Sequence, residues 1–199
     1  MRAIIVFFGM IASGKSTLAA RFARHHDLLY LNTDRVRKEM AGLKPTQRRP
    51  DGIDQGIYTA EFTRRTYETM LARTAESLAA GQGVALDGSY SRRMERDAVR
   101  ACAARAGVPV YFILCTCDDE TVAERLALRA RDPEAVSDGR WEIYLYQKEH
   151  FDWPDDGEQV LILRTEDEPR HLEQEIETWL GGMKPSACLG KEQDRIPNN

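Results

Sequence analysis

The chain has 199 residues, of which 42% are hydrophobic and 30% are charged, a composition typical of a globular domain. Its 28 basic and 32 acidic residues give a formal net charge of -4, which argues against a protein that coats nucleic acid non-specifically. No apolar stretch approaches the roughly 18 residues of a membrane span, so we expect a cytoplasmic protein. The length and composition predict one domain over 1–180, followed by a disordered tail over 181–199.

Apolar runs alternate with helix-like segments along the chain. Strands are predicted at 3–8, 28–31, 83–86, 108–115 and 160–163, and helices at 15–25, 34–41, 59–80, 92–106, 119–131, 139–150 and 169–180. Strands that alternate with helices build a parallel sheet with helices on both faces. The sequence therefore predicts an α/β fold.

Two segments break this alternation. Residues 42–58, GLKPTQRRPDGIDQGIY, are rich in glycine, proline and charge and are predicted to form an insertion. Residues 130–140, ARDPEAVSDGR, lie between two predicted helices and belong to a predicted lid over about 125–140. Loops of this length inside a compact domain are often lids or binding loops, so both segments are candidates to cover a ligand.

The segment GMIASGKST follows the first predicted strand and opens the first helix. It matches G-x-x-x-x-G-K-(S/T), in which glycines turn successive N–H groups toward a phosphate. The lysine of this motif reaches the β- and γ-phosphates, and the serine hydroxyl binds Mg²⁺. We therefore expect ATP and Mg²⁺ to be bound here, with contacts from Gly9, Ala12, Ser13, Gly14, Lys15, Ser16 and Thr17.

Other motifs narrow the class of nucleotide-binding protein. The chain has no N-K-x-D motif of the kind that reads guanine, and Asp87 is followed by Gly88 where a motor ATPase usually has a glutamate. These features favour a small kinase that transfers phosphate to a hydroxyl acceptor. Two alternatives stay open: an ATP-binding switch or regulatory module, and a plain ATPase whose acceptor is water.

The segment LNTDRVR ends the second predicted strand and enters a helix. Ligands of open parallel sheets bind outside the carboxyl ends of the strands, which would place Asp34 beside the γ-phosphate as a general base. The alternative role of Asp34 is a helix N-cap. Arg37, one helical turn later, would hold an anionic group of the acceptor or lie on the surface.

Asp87 ends the strand GVALD, where a carboxylate would order Mg²⁺ or fix the acceptor. Its alternative role is a cap for the next helix. Arg92 follows shortly after and would face either the acceptor cleft or the solvent.

The segment ERLALRAR places Arg125 and Arg129 four residues apart on one face of a helix, at the root of the predicted lid. Arginines there would close over the phosphates and neutralise the charge that develops during transfer. The alternative for each is a surface ion pair.

GMIASGKST, NTDRVR, LDGSYSRRMERD and ERLALR together resemble the kinase domain of phage polynucleotide kinase and the zeta-toxin-like kinases, over about residues 1–165. The chain is more closely similar to bacterial predicted kinases of the AAA type that occur alone or fused to aminoglycoside-phosphotransferase-like domains. In those kinases a P-x-x-R-x-P insertion, here Pro45, Arg48 or Arg49 and Pro50, precedes a G-x-Y motif, here Gly56 and Tyr58.

The resemblance implies a P-loop NTPase fold of the nucleoside-monophosphate-kinase-like type, with a five-stranded parallel sheet and a helical lid. It implies that Lys15 and Ser16 bind phosphate and Mg²⁺, that Asp34 is the general base, that Arg37 contacts the acceptor and that Arg129 touches the donor phosphates. It also implies that the loop at 164–171 holds adenine, with Arg164 or Thr165 taking part.

The chain departs from polynucleotide kinases at Thr33, where those proteins often have a basic residue, and in the insertion at 42–58. The acceptor is therefore left open between a small-molecule hydroxyl and a nucleic-acid 5′ end. We expect no stable complex with nucleic acid and no membrane association, and the sequence does not specify an oligomeric state.

Overall fold

The computed structural model describes residues 1–47, 52, 54–132, 134, 136, 138 and 140–182. The central part of the predicted insertion, including Arg48, Arg49 and Pro50, lies outside the described residues, as does the predicted tail from 183 onward. Gly181 and Gly182, predicted to begin that tail, instead end the last helix.

Five strands form one parallel sheet, as predicted. In chain order they are β1 (Ile4–Phe8), β2 (Leu29–Asn32), β3 (Val84–Asp87), β4 (Val110–Thr116) and β5 (Val160–Arg164). Their spatial order is β2-β3-β1-β4-β5, and every neighbouring pair runs parallel. β1 lies at the centre with all five side chains buried, which is typical of a strand covered on both faces.

Seven helices in the described part of the chain connect these strands. They are α1 (Lys15–His25), α2 (Thr33–Met40), α3 (Ala60–Ala79), α4 (Arg93–Ala106), α5 (Asp119–Arg131), α6 (Trp141–His150) and α7 (Pro169–Gly182), with a short 3₁₀ turn at Gly56–Tyr58. Each corresponds to a predicted helix or to the end of the predicted insertion. In the same part of the chain, no helix is both long enough and apolar enough to cross a lipid bilayer.

The sheet separates two hydrophobic cores because successive side chains of a strand point to opposite faces. Ile4, Val6 and Phe8 of β1 pack in the core that α3 and α4 cover. Ile5 and Phe7 pack in the other core, which α1 and α7 cover. The loops that follow the strands meet at the carboxyl edge of this two-sided sheet, where open α/β sheets bind ligands.

A buried ion cluster joins α4 to the segment that precedes β5. Arg96 donates from Nε and Nη2 to the two carboxylate oxygens of Glu158, at 2.9 and 2.6 Å, and from Nη1 to the Tyr90 carbonyl at 3.0 Å. Arg100 donates from Nη2 to Glu158 Oε2 at 2.5 Å. Hydrogen bonds from Arg96, followed by those from Arg100, lower the pKa of Glu158 to about 2. The cluster fixes α4 and the Tyr90 backbone beneath the carboxyl edge of the sheet.

Glu158→Gln should destabilise the fold by about 3–5 kcal/mol, because it leaves the buried Arg96 guanidinium without its counter-charge. Chemical denaturation measures the change. Asp155→Asn is the matched control, because Asp155 pairs with Arg93 at the exposed surface. This substitution should lower the free energy of unfolding by at most about 1 kcal/mol. Equal effects of the two substitutions would contradict the assigned role of the cluster.

The same carboxylate makes stability depend on pH. The pKa of Glu158 is lower in the folded chain than in the unfolded chain, so its contribution is complete above the unfolded value of 4.5. That contribution is lost as the pH falls from there toward about 2. The wild-type protein should lose more stability than Glu158→Gln over this interval.

Candidate active site

The loop between β1 and α1, residues 9–14, has the backbone conformation that the phosphate-loop motif predicts. Gly9 (φ 138°), Ala12 (φ 60°) and Gly14 (φ 80°) all have positive φ. At Gly9 a Cβ atom would lie 2.3 Å from the Cys115 carbonyl oxygen, so no larger residue fits beside β4. Ser13 is buried, and its hydroxyl has no hydrogen-bond partner in the described structure.

The first turn of α1 is open to an anion. Gly14 is the N-cap and supplies no side-chain cap, and the first turn contains no acidic residue. Lys15, Ser16 and Thr17 begin the helix and line a cavity of about 410 Å³. A helix N-terminus with uncapped N–H groups and partial positive charge is suited to bind phosphate.

Lys15 lies within this cavity, and its Nζ donates to the Met10 carbonyl at 3.1 Å. Burial lowers the pKa of Lys15, while the negative charges of Asp87 and Asp34 oppose that shift. Lys15 and both predicted carboxylates line the same cavity. A polyphosphate bound over the loop would meet this charge.

Asp34 lies in the first turn of α2 and lines the cavity, and the alternative that it caps the helix is wrong. Asn32 is the N-cap, and its Oδ1 accepts from the Arg35 N–H at 3.0 Å. Asp34 Oδ1 accepts instead from Arg37 Nη1 at 2.8 Å. Because Asn32 supplies the cap, the Asp34 carboxylate is not needed for capping at the helix N-terminus, and Asp34 lines the cavity.

Asp87 is fully buried at the end of β3, and the alternative that it caps α4 is also wrong. Arg92 occupies that N-cap position, and Glu95 Oε2 accepts from the Arg92 N–H at 3.1 Å. Asp87 Oδ2 accepts from Tyr30 and from Asn32, each at 2.6 Å. Its Oδ1 has no hydrogen-bond partner among the described residues, and Asp87 lines the cavity.

Arg125 is directed to the phosphate loop, where it holds the protein backbone. Its Nη1 donates to the Ala12 carbonyl at 3.2 Å and to Thr165 Oγ1 at 2.9 Å, and its Nη2 donates to the Thr165 carbonyl at 2.6 Å. Thr165 Oγ1 donates in turn to the Ser13 carbonyl at 2.7 Å. A Cβ atom at Gly14 would approach Thr165 Oγ1 to 2.6 Å. Arg125 and Thr165 thus clamp the loop at the Ala12 and Ser13 carbonyls.

Arg129 lies one turn beyond Arg125 in α5 and lines the cavity, whereas Arg125 is absent from its described lining. Burial lowers the pKa of Arg129, and the charge of Asp34 opposes this shift. An arginine keeps its charge under such conditions. The cavity therefore contains a cation on the lid side as well as on the loop side.

Arg37 is buried, with 7% of its surface exposed, and lines the cavity. Its guanidinium carbon lies 4.8 Å from the centre of the Tyr58 ring, and its Nε has no hydrogen-bond partner in the described chain. Arg92 does not join it: this side chain is exposed and is absent from the described lining of the cavity.

Sequence reasoning missed a buried contact between the insertion, α2 and the lid segment. Tyr58 donates to Asp138 Oδ2 at 2.8 Å, and Lys38 Nζ lies 3.0 Å from the same oxygen. Lys38 also donates to the Val136 carbonyl at 2.7 Å, and its side chain is fully buried. A lysine on a short helix gives no sequence signal for this role. Tyr58, by contrast, belongs to the G-x-Y motif of the sequence.

The residues at the start of α1 and the end of β3 fit a magnesium ion. Mg²⁺ takes oxygen ligands, commonly one or two carboxylates together with phosphates and waters. Ser16 offers an exposed hydroxyl, and Asp87 offers a buried carboxylate oxygen that lacks a donor. The described residues contain no cluster of three or more His, Cys, Asp or Glu side chains that could hold a metal alone. A metal here would therefore depend on the phosphates of a bound nucleotide.

A family model described as an AAA domain matches residues 4–154. The chain belongs to this family. The match contains the phosphate loop, Asp34, Asp87 and Arg129, so the residues that line the phosphate side of the cavity lie in the part that the AAA domain family shares.

The curated relatives are longer proteins. An uncharacterized protein of Mycobacterium tuberculosis (strain ATCC 25618 / H37Rv) is 27% identical over 122 residues, which is 61% of this chain and 24% of the relative. An uncharacterized protein of Mycobacterium bovis (strain ATCC BAA-935 / AF2122/97) matches to the same extent. The chain thus spans less than two thirds of the length of these relatives.

Solved structures with this fold include several kinases. A sugar kinase from Janibacter sp. HTCC2649 has a TM-score of 0.67 at 20% identity and covers 91% of this chain and 95% of its own. The Mycobacterium tuberculosis APS kinase, in complex with AMPPNP and APS, has a TM-score of 0.60 at 19% identity and covers 90% and 98%. Kti12 of Chaetomium thermophilum, in complex with ADP-AlF3, has a TM-score of 0.64 at 16% identity and covers 88% and 97%. The chain therefore has the fold of P-loop kinases.

Thr165→Val should lower stability by about 1–3 kcal/mol and weaken ADP binding, because it removes the donor to the buried Ser13 carbonyl and the acceptor of Arg125. Thermal unfolding and calorimetric titration with ADP measure the two effects. Thr165→Ser keeps the hydroxyl and should behave as wild type. Normal ADP affinity in a folded Thr165→Val protein would show that the clamp does not shape the loop.

Proposed function

We propose that the chain is an ATP-dependent kinase that transfers the γ-phosphate to a hydroxyl of a small molecule or of a nucleic-acid 5′ end. The observation that carries this proposal is the place of Asp34, which lines the same cavity as Lys15 and Arg129 while Asn32 performs the capping. A carboxylate that lies beside a phosphate loop and is not needed for helix capping is suited to accept a proton.

In the proposed reaction the acceptor hydroxyl gives its proton to an oxygen of Asp34. The hydroxyl oxygen forms a bond to the γ-phosphorus, the bond from that phosphorus to the bridging oxygen of the β-phosphate breaks, and ADP leaves with the electron pair. Lys15 and Arg129 face the charge that accumulates on the transferred group. A Mg²⁺ ion held by Ser16 and Asp87 would supply further charge neutralisation at the phosphates.

The acceptor side of the cavity is polar and contains Arg37. Its buried Nε lacks a partner, which is costly unless an oxygen of a ligand accepts from it. Tyr58 covers the guanidinium face and fixes its direction. We propose that Arg37 holds an anionic or oxygen-rich group of the acceptor.

Small-molecule acceptors are favoured by two observations. Tyr58 and Lys38 both contact Asp138, and these contacts join the insertion to the lid segment. Because Arg37 lies against Tyr58, the joined segments leave less room for a polymer beside Arg37. Two of the similar structures are, by their descriptions, a sugar kinase and an APS kinase.

Asp34→Asn should reduce kcat by about 10²- to 10⁴-fold while ATP binding is retained, because the amide cannot take the proton. Transfer of labelled γ-phosphate measures the rate, and titration with a non-hydrolysable ATP analogue measures binding. Glu39→Gln, which alters an exposed carboxylate of the same helix, should leave both unchanged. Full turnover by Asp34→Asn would refute the general-base role.

The acceptor class should emerge from a panel of 5′-hydroxyl oligonucleotides, nucleosides, sugars and aminoglycosides, of which we expect one class to be labelled. Arg37→Lys should then raise the KM of that acceptor at least about tenfold, since lysine cannot replace a stacked guanidinium, and leave ADP affinity unchanged. Arg73→Lys, in an exposed ion pair, is the control. ATP binding without transfer to any hydroxyl would favour the alternative of a switch or regulatory ATPase.

A further inference from the structure

Three donors from one stretch of chain hold Asp87. Tyr30 and Asn32 donate to its Oδ2, each at 2.6 Å, and Thr33 Oγ1 donates to its main-chain carbonyl at 2.8 Å. The donors to Oδ2 occupy one carboxylate oxygen and leave Oδ1 without a partner among the described residues. The Asp87 side chain thus has a defined orientation in which Oδ1 is left available to a ligand.

The sheet register produces this arrangement. Asn32 is the direct neighbour of Asp87 across the pairing of β2 with β3, and Tyr30 is the neighbour of Ala85. Alternate residues share a face, so these side chains lie on the face where Ala85 packs with α1. That face continues into the phosphate loop, which explains why Asp87 lines the cavity despite its burial.

Asn32 acts on two catalytic elements with one amide group. Its Oδ1 accepts from the Arg35 N–H and begins α2, the helix whose first turn contains Asp34. Its Nδ2 donates to Asp87 Oδ2. A serine could cap the helix, but its single short hydroxyl cannot serve both ends, and an aspartate has no donor for Asp87.

We propose that Asn32 is a positioning residue that sets the placement of Asp34 relative to Asp87, with Tyr30 as the second donor that holds Asp87. This inference rests on the proposed function, in which Asp34 receives the proton and Asp87 lies on the Mg²⁺ side of the phosphates. Loss of either donor leaves Oδ2 undersatisfied, and the carboxylate then turns away from the direction in which Oδ1 faces the cavity.

Two substitutions separate positioning from folding. Asn32→Ser keeps a cap for α2 and loses the donor to Asp87, whereas Tyr30→Phe keeps the ring and loses the other donor. We would titrate Mn²⁺ into protein saturated with ADP and follow free Mn²⁺ by electron paramagnetic resonance. Each substitution should weaken Mn²⁺ binding to the complex about 10- to 100-fold and lower kcat, with a small decrease in thermal midpoint that leaves the protein folded in the assay. Asn32→Ala, which also loses the cap, should lower the midpoint further.

Asp87→Asn in the same titration is the reference for the proposed function. If it weakens Mn²⁺ binding while Asn32→Ser and Tyr30→Phe bind as wild type, the positioning role is overturned and the kinase proposal stands. If Asp87→Asn itself binds Mn²⁺ as wild type, the metal role of Asp87 fails and the positioning role fails with it. Should Asn32→Ser not fold, Tyr30→Phe alone decides.

Discussion

The site depends on a close approach between the phosphate loop and its neighbours that side chains would prevent. A Cβ atom would meet the Cys115 carbonyl at Gly9 and the Thr165 hydroxyl at Gly14. Arg125 donates a hydrogen bond to the Ala12 carbonyl, and Thr165 donates one to the Ser13 carbonyl. These contacts hold the loop, and the start of α1 lines the cavity.

Asp34 and Asp87, the two carboxylates at this edge, differ in the groups that donate hydrogen bonds to them. Asp34 has a guanidinium partner, whereas Asp87 receives hydrogen bonds from a phenol and an amide that have no charge. Asp87 is fully buried, and it lines the same cavity as Lys15. In the proposed reaction, Asp34 takes the proton of the acceptor and Asp87 lies on the side of the metal ion.

The predicted insertion and the lid segment, which interrupt the alternation of strands and helices, contact each other at the Asp138 carboxylate. Tyr58 ends the insertion, Asp138 lies in the lid segment, and the buried Lys38 of α2 contacts the same Asp138 oxygen as Tyr58. A buried lysine is stable only when its charge is paired, so this contact constrains where both segments lie. Arg37 stacks on Tyr58, and its orientation therefore depends on the same contact.

The sequence by itself determined the parallel α/β sheet, the phosphate loop with Lys15 and Ser16, and the strand-end carboxylates Asp34 and Asp87. These features depend on local spacing: alternating strands and helices, glycines at fixed offsets, and polar residues directly after apolar runs. Only the tertiary structure decided that Asn32 donates to Asp87, that Thr165 meets Arg125 from 40 residues away and that Lys38 meets Asp138. Such contacts join chain segments that become neighbours only when the sheet forms, and no local spacing encodes which side chains will then lie within hydrogen-bond distance.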